Sequence, residues 1–337
     1  MTQQTKIEWT DFTVNVAEGC QKVGPGCDNC YAEARDVRFT GGSHWGPGAP
    51  RRYVKAGIPK LRKINRGSKK FQAEHGRKPR VFFSSLSDVF DKAWLPEWRT
   101  ELFSEIELAT GIHAQLLTKR VGNVFQMVPP AWVNGGWPSH VGLMITVVNQ
   151  AEADRDIPKL LDLKAKHGIP WVGLSVEPML GQIDLTCLSG GKGYWECNAL
   201  TGEVTDMCRP CSPVEKVDWV ICGGESGQNA RPMHPQWARD LRDQCEAVGT
   251  AFFFKQWGEW VPWEPMSESL WSSQNLRTED RHVLFPSDFD MSSNWDDGMA
   301  LIEHGHAAFQ RVGKKSAGRL LDGVEHKGVP AQIGGEG

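Results

Sequence analysis

Three cysteines near the start of the chain have a spacing that could support a metal centre. Cys20, Cys27 and Cys30 lie in the segment GCQKVGPGCDNCYAE, with gaps of six and two residues. Three thiolates are one ligand short of a closed zinc site and of a fully ligated [4Fe–4S] cluster. A cluster held by three cysteines leaves one iron open for a non-protein ligand. We predict such a [4Fe–4S] cluster; zinc with a fourth ligand such as His44, or no metal at all, are the alternatives.

A second group of cysteines predicts a small Cys-rich insert over residues 187–214. Its members are Cys187, Cys197, Cys208 and Cys211, and the last two are separated by two residues, as in a zinc knuckle. Four thiolates would close a structural Zn²⁺ site. The alternative is a loop whose cysteines are incidental. The chain has nine cysteines and no secretory leader is predicted, so disulfides are not expected.

Short apolar runs alternate with helical patterns along most of the chain. Strands are predicted at 14–16, 81–84, 114–118, 141–148, 171–176, 218–222 and 251–254, and helices at 96–111, 151–168 and 235–249. This alternation predicts an α/β fold with parallel strands. We expect a full or partial (β/α) TIM-type barrel over residues 1–257, with a doubly wound open sheet as the alternative. Residues 258–337 are predicted to form a C-terminal covering segment.

Polar residues follow nearly every predicted strand. The carboxyl ends of the strands form one rim of a parallel barrel, where its chemistry takes place. Because polar groups are costly to bury without partners, this coincidence predicts an active site at the rim. Taken singly, Asp88 could cap a helix, Glu177 could pair with Lys255, and Arg120 could be a solvated loop residue. The rim candidates are Ser85, Asp88, Lys119, Arg120, Asn149, Ser175, Glu177, Gly223, Gly224, Glu225 and Lys255.

The formal net charge is only −3, but the charge is unevenly distributed. The basic segment, residues 51–80, holds twelve Lys and Arg residues and a single acid, Glu74. A basic block on an otherwise acidic chain is typical of a protein that binds a polyanion, most simply nucleic acid. The alternative is a solvated, flexible basic loop.

The composition excludes several classes of protein. Hydrophobic residues are 40% and charged residues 23%, close to the average of globular proteins and unlike a disordered chain or a coiled coil. No apolar run is long enough for a membrane helix, and the first residues do not have the pattern of a signal peptide. We therefore expect a cytoplasmic protein that does not interact with a membrane.

Six motifs carry a resemblance to a known family. They are IEWTDFTVNVAEGCQKVGPGCDNCYAE, LLTKR, LSVEPML, DWVICGGESGQNARPMHPQWARDLRDQC, FFFKQWGEW and RVGKKSAGRLLDG. Together they resemble a phage- and prophage-associated family of uncharacterised radical-SAM-like three-cysteine proteins, over roughly residues 6–325. The resemblance implies a partial barrel with an iron–sulfur cluster at its top. For a phage-encoded member it implies the cytoplasm of a bacterial host.

The predicted cluster, the rim residues and the basic segment together lead to one hypothesis of function. The hypothesis is a radical-SAM-like iron–sulfur enzyme that binds S-adenosylmethionine (SAM), receives electrons from a donor such as a flavodoxin or ferredoxin, and modifies or repairs a nucleic acid or nucleotide. Arg231, Lys314 and Lys315 would help the basic segment to hold phosphates. Catalytic candidates are then Asp88, Lys119, Glu177, Glu225 and Lys255, and cofactor-binding candidates are Ser85, Arg120, Asn149, Ser175, Gly223 and Gly224.

Two features depart from the ordinary radical-SAM pattern. The first cysteine gap is six residues instead of three, and the Gly-Gly-Glu sequence at 223–225 follows the sixth predicted strand instead of the second. Two other functions therefore stay open. One is a non-catalytic nucleic-acid-binding protein with a structural metal, and the other is an iron–sulfur redox or repair enzyme that does not use SAM.

Overall fold

Seven parallel strands form a curled half-barrel at the centre of the fold. The computed structural model describes residues 3–189, 195–206, 215–262, 281–284 and 307–334. The strands pair in the order in which they occur in the chain, without a reversal, so the predicted partial barrel is confirmed and the doubly wound alternative is wrong. They are β1 (Phe12–Val14), β2 (Arg80–Phe83), β3 (His113–Thr118), β4 (Val141–Thr146), β5 (Val172–Val176), β6 (Trp219–Gly223) and β7 (Ala251–Gln256).

Five long helices accompany the sheet: α1 (Tyr31–Thr40), α2 (Gly57–His75), α3 (Pro96–Leu108), α4 (Gln150–His167) and α5 (Pro235–Val248). The predicted helices at 96–111, 151–168 and 235–249 correspond to α3, α4 and α5. Helices α4 and α5 end at Gly168 and Gly249, whose φ angles of 66° and 71° are left-handed and favour glycine. Shorter helical turns lie at Pro25–Cys27, Val121–Asn123, Val124–Met127, Trp132–Gly136, Lys314–Ala317 and Ala331–Gly334.

Three small antiparallel sheets complete the described structure. One pairs Ala17–Glu18 with Arg52–Tyr53. The strands of the second are Leu188–Ser189, Trp195–Cys197 and Val204–Asp206, and those of the third are Trp260–Pro262, Arg281–Leu284 and Ala307–Arg311. No helix of the described residues is long and apolar enough to cross a membrane.

The sheet separates two apolar clusters. Successive residues of a strand face opposite sides, so Val81 and Phe83 pack in the larger cluster with the helices, whereas Phe82 packs in the smaller one. The smaller cluster also contains Trp9, Met144, Trp171, Trp219, Ile221, Phe253 and Ile333. Because both faces are covered, β2, β4, β5 and β6 are buried along their whole length. This explains why the strands are continuous apolar runs in the sequence.

The two ends of the described chain pack together beside β7. The Phe254 N–H donates to the carbonyl of His326, and the Gly328 N–H donates to the carbonyl of Phe252. An ion pair of 2.9 Å between Arg319 and Glu8 joins the C-terminal segment to the N-terminal one. Residues from both segments therefore reach the interior of the half-barrel.

The basic segment is mainly a helix, not a flexible loop. Helix α2 occupies most of it and buries Ile58, Leu61, Ile64 and Phe71 against the sheet. These positions recur every three or four residues, which is the spacing of an amphipathic helix. None of residues 51–80 lines the cavity described below. The charge of this segment therefore lies outside the cavity, because α2 packs on the outer side of the sheet.

Several cations of this segment are engaged in ion pairs. Arg51 is buried and pairs with Asp91 at 2.9 Å, and Arg62 pairs with Glu105 at 2.5 Å. The exposed face of α2 keeps Lys63, Arg66 and Lys69, which have no carboxylate within 4.0 Å in the described part of the chain. Only part of the basic segment is therefore free to meet a polyanion.

The Cys-rich insert is only partly described. Cys187 is exposed, whereas Cys197 is 3% exposed and packs in the larger apolar cluster. Leu188 pairs with Cys197 across the small sheet, so Cys187 and Cys197 belong to opposite faces of it. Cys208 and Cys211 lie outside the described residues. The placement of the first two gives no support to a four-thiolate zinc site.

Gly142 of β4 tests how tightly the smaller cluster is packed. A Cβ atom at this position would lie 1.9–2.4 Å from three ring atoms of Trp171, which is fully buried. Gly142→Ala is expected to lower the free energy of unfolding by about 3 kcal/mol, measured by denaturant titration. Gly122→Ala is the matched control, because no atom lies within 4 Å of its Cβ position. Equal stability of the two variants would contradict this packing.

Candidate active site

One cavity of about 570 Å³ lies at the carboxyl ends of the seven strands. This volume is typical of sites that bind cofactors and small molecules. Nearly all of the residues predicted for the rim, and all three N-terminal cysteines, line this cavity. They are Cys20, Cys27, Cys30, Ser85, Asp88, Lys119, Arg120, Ser175, Glu177, Gly224, Glu225 and Lys255.

The cysteine loop, residues 20–30, brings three free thiols to this cavity. Cys27 ends a short helical turn, and Cys30 directly precedes α1. The turn before the loop requires glycine: Gly19 has a φ of 103°, and a Cβ there would lie 2.3 Å from the carbonyl oxygen of His44. The local backbone therefore fixes where Cys20 enters the site.

The Arg120 guanidinium connects Cys20 to a buried carboxylate. Its Nη1 and Nη2 atoms each lie 3.5 Å from the Cys20 Sγ, and Nη1 donates to Asp88 at 2.9 Å. Asp88 also accepts from the Thr118 hydroxyl at 2.8 Å. Asp88 does not cap α3, which begins at Pro96. Instead its carboxylate holds the guanidinium against the Cys20 sulfur.

Two thiols of the cysteine loop, those of Cys20 and Cys30, resist ionisation without a bound cation. Burial raises the pKa of Cys20 to about 11, and it also raises the pKa of Cys30. The Arg120 charge opposes this shift at Cys20, and the N–H groups of Glu33 and Ala32 oppose it at Cys30. Near neutral pH a metal must therefore displace protons from these sulfurs, so metal binding releases protons.

Glu225 ties the cysteine loop to the end of β6. Its carboxylate is buried and accepts from Asn29 Nδ2 at 2.9 Å and from Arg231 at 2.7 and 2.9 Å. The same guanidinium donates to the carbonyl of Pro25 at 2.8 Å and pairs with Asp28 at 3.1 Å. Glu225 therefore positions the loop and has little capacity left for a ligand. Arg231, which was predicted to hold phosphates, instead binds Glu225, Pro25 and Asp28.

An ion pair inside the cavity joins the ends of β5 and β7. Lys255 Nζ lies 2.8 Å from Glu177 Oε1, as the sequence suggested, and the Ser175 hydroxyl lies 3.4 Å from Oε2. A Cβ atom at Gly223 would lie 2.8 Å from Glu177 Oε1. Gly223 does not line the cavity. Its contribution is to leave room for the Glu177 carboxylate.

Two further rim candidates differ in placement. Asn149 does not line the cavity, and its side-chain oxygen accepts from the Glu152 N–H at 3.0 Å as the N-cap of α4. Asparagine is among the preferred residues at this position, which corrects its prediction as a cofactor ligand. Lys119 does line the cavity, and its Nζ lies 3.3 Å from the Thr146 hydroxyl.

The thiols of the cysteine loop are the type of ligand that an iron–sulfur cluster takes. Among the described residues, no three His, Cys, Asp or Glu side chains are arranged to bind one metal ion. In an iron–sulfur cube each cysteine binds a different iron, so the three thiols need not converge on one point. The zinc alternative with His44 is unsupported, and the Nδ1 of that ring lies 3.0 Å from Asp36. The thiols and the nearby guanidinium match the cysteine ligands and hydrogen-bond donors of a cluster site.

The sequence matches a model of a protein family. A family described as "Protein of unknown function (DUF5131)" matches residues 4–330. The chain belongs to this family. The match includes the cysteine loop and all seven strands of the half-barrel. It carries no information on a phage association. No curated protein matches the chain.

Solved structures of spore photoproduct lyase are similar to this chain at a low level. A double mutant with bound AdoMet and dinucleoside spore photoproduct has 13% identity and a TM-score of 0.38, covering 89% of this chain and 73% of that chain. A cysteine-to-serine mutant has 12% identity and a TM-score of 0.38, covering 90% and 74%. A complex with dinucleoside spore photoproduct has 10% identity and a TM-score of 0.35, covering 89% and 73%. Likeness at this level does not extend to a shared reaction.

Some cavity residues have no clear signal in the sequence. Lys6 lines the cavity from the N-terminal segment, and Trp45 lines it from the loop after the cysteines, whereas Lys314, which was predicted to hold phosphate, lines it from the C-terminal segment. Ser84 directly follows β2 with a φ of 67°, unusual for a residue other than glycine. Its buried hydroxyl faces the cavity without a hydrogen-bond partner in the described structure. Backbone strain and an unpaired hydroxyl are visible only in three dimensions.

Proposed function

We propose that this chain is an iron–sulfur enzyme of the radical-SAM type that acts on a nucleotide or nucleic acid. One observation carries the proposal: three free cysteines, spaced as a cluster motif, line a single cavity at the carboxyl ends of a parallel half-barrel. When bound, the cluster would supply one-electron chemistry at an iron that the protein leaves open. A non-catalytic protein with a structural metal is less well supported, because such a protein does not need thiols in a cavity of this size.

The residues around the cysteines divide into two roles in this proposal. Cys20, Cys27 and Cys30 hold the cluster. Two ion pairs position it: Arg120 with Asp88 beside Cys20, and Arg231 with Glu225 beneath the loop. Both acids were candidates for catalysis, and we assign them to positioning because guanidinium groups already engage their carboxylates.

The remaining polar groups are available to a ligand. Glu177 and Lys255 form a pair that can hold or exchange a proton between Oε1 and Nζ, and Ser175 contacts the same carboxylate. Ser84, Ser85 and Lys119 also line the cavity. We therefore expect Glu177 and Lys255 to contact the ligand directly and the apolar wall at Phe82 and Leu117 to exclude water.

A second candidate is an iron–sulfur enzyme that does not use SAM. The observation that favours it concerns the Gly-Gly-Glu sequence: its glutamate, Glu225, is occupied by Arg231 and Asn29 and is not free to bind an ammonium group. The other two acids that line the cavity are Asp88, which Arg120 engages at 2.9 Å, and Glu177, which Lys255 engages at 2.8 Å. The two candidates differ in whether SAM is consumed.

The test is SAM cleavage by protein that has been loaded with iron and sulfide without oxygen. After reduction with dithionite, the proposal predicts release of methionine and 5′-deoxyadenosine at a rate that Cys27→Ala abolishes. Cys187→Ser, which changes an exposed cysteine away from the cavity, should retain the rate. Iron-loaded protein that leaves SAM intact would favour the SAM-independent candidate.

The exposed cations of α2 predict a salt-dependent interaction with nucleic acid. Changing Lys63, Arg66 and Lys69 together to Gln should weaken DNA or RNA binding equally for all sequences, because phosphate contacts carry no base information. The log–log salt slope should become shallower by roughly 0.7–0.9 for each lost contact, measured by fluorescence anisotropy. The control changes Lys159 and Lys166 to Gln, since both already pair with aspartates on α4. An unchanged slope in the α2 variant would show that this face does not bind the backbone.

A further inference from the structure

Positively charged side chains outnumber carboxylates among the residues that line the cavity. Each of the three carboxylates that line it is already engaged by a cation within 3 Å. The pairs are Asp88 with Arg120 at 2.9 Å, Glu225 with Arg231 at 2.7 Å, and Glu177 with Lys255 at 2.8 Å. Among the described residues, every acid that lines the cavity therefore already has a cation partner.

Three cavity-lining lysines, Lys6, Lys119 and Lys314, have no such carboxylate partner among the described residues. Lys6 and Lys314 line the cavity, and neither has a carboxylate within 4.0 Å among the residues that the structure describes. Lys119 also lines it, but its Nζ contacts the Thr146 hydroxyl at 3.3 Å. Burial lowers the pKa of Lys314 and the charge of Lys255 lowers it further, whereas the charges of Glu177, Glu8 and Glu259 oppose this shift. None of these three carboxylates lies within 4.0 Å of the Lys314 ammonium group, so its N–H donors are open to a ligand in the cavity.

The two lysines come from segments that pack together. Glu8 and Arg319 form an ion pair of 2.9 Å. Lys6 lies two residues before Glu8 in the sequence, and Lys314 lies five residues before Arg319. The charge of Glu8 also acts on Lys314. The N-terminal and C-terminal segments therefore bring two unpaired ammonium groups to one cavity, although they are distant in the sequence.

We propose that Lys6 and Lys314 bind the phosphate group of the substrate. The inference rests on the proposed function, because it specifies how a nucleotide substrate would bind, with its phosphate held by these two lysines. Each ammonium group has three N–H donors, and charge-assisted hydrogen bonds to phosphate oxygens are among the stronger ones. Lys6, Lys314 and Lys315 are all exposed, but Lys315 does not line the cavity, so of the two lysines predicted to hold phosphate only Lys314 is placed to do so.

The test measures how binding depends on the phosphate. Isothermal titration with each of the four 5′-deoxynucleoside monophosphates and the matching deoxynucleosides should show tighter binding of at least one monophosphate. Lys6→Gln and Lys314→Gln should each weaken monophosphate binding about fivefold and leave nucleoside binding unchanged. Lys314→Arg should retain the affinity because it keeps the charge, and Lys315→Gln is the matched control. SAM, which carries a carboxylate, is titrated in parallel and should bind the Lys variants as it binds the native protein.

Three outcomes would overturn the proposal. They are equal binding of monophosphates and nucleosides by the native protein, unchanged monophosphate binding in the two Gln variants, and the same loss in Lys315→Gln. A selective loss of SAM binding would assign the lysines to the SAM carboxylate instead. The titration does not depend on iron or on turnover. Failure of the phosphate site is therefore distinguishable from failure of the proposed function, which the iron content and SAM cleavage report.

Discussion

Cys27→Ala protein is expected to lose its iron and its brown colour and to remain folded. Cys27 is one of three thiols on a loop that lies outside the seven strands, so its removal leaves the apolar clusters intact. Two remaining thiolates cannot hold a cluster that already has one open iron. The measurements are iron and sulfide content and visible absorbance after anaerobic reconstitution, with far-ultraviolet circular dichroism to report folding.

Matched variants separate this effect from a general loss of cysteine. Cys20→Ala and Cys30→Ala should behave as Cys27→Ala does, because all three thiols line the same cavity. Cys187→Ser should keep its full iron content, since Cys187 is exposed and does not line that cavity. Iron retained at the native level in the three cavity variants would exclude them as cluster ligands.

Arg120→Met is expected to have the largest effect on stability. The Arg120 side chain is 8% exposed and lies 2.9 Å from Asp88 and 4.0 Å from Asp91, whose side chains are 9% and 1% exposed. Without it, buried negative charge loses a cation, which costs about 3 kcal/mol or more in such pairs. We expect Tm to fall by about 4 °C in differential scanning calorimetry. The Cys20 sulfur loses its guanidinium neighbour at the same time.

A second substitution identifies the cause of this loss. Asp88→Asn in the Arg120→Met background removes the negative charge left behind and should recover part of the lost stability. Arg62→Met is the exposed comparison: its ion pair with Glu105 lies at the surface, where such pairs contribute little, so Tm should not change measurably. A similar fall in Tm for Arg62→Met and Arg120→Met would contradict the importance of burial.

The sequence predicted the sheet well because its strands are buried on both faces. All seven apolar runs correspond to strands of the half-barrel, and the polar residues just after them line one cavity. The strand ends were also informative, since parallel strands deliver those residues to the same rim. Asn149 and Gly223 were wrongly placed in the cavity. Asn149 caps a helix and Gly223 lies close to a carboxylate, but in the sequence each is simply a polar or small residue that follows or ends a strand.

Other features needed the three-dimensional structure. The apolar spacing of Ile58, Leu61, Ile64 and Phe71 is helical, but the many cations between them drew attention to charge instead of periodicity. Arg231, in the loop after β6, binds both Glu225 and the carbonyl of Pro25. This contact connects the end of β6 to the cysteine loop, which lies about 200 residues earlier in the sequence. Lys6 and Lys314 meet the cavity through packing of the two chain segments, which leaves no local pattern.

The central claim is that Cys20, Cys27 and Cys30 hold one [4Fe–4S] cluster with an open iron. Mössbauer spectroscopy of ⁵⁷Fe-reconstituted protein, combined with electron paramagnetic resonance of the reduced sample, tests it most directly. The account predicts about four irons and four sulfides per chain, the signal of a reduced cube, and a change in that signal when a ligand such as SAM binds the open iron. A single redox-silent ion bound by these cysteines, or no iron after reconstitution, would contradict it.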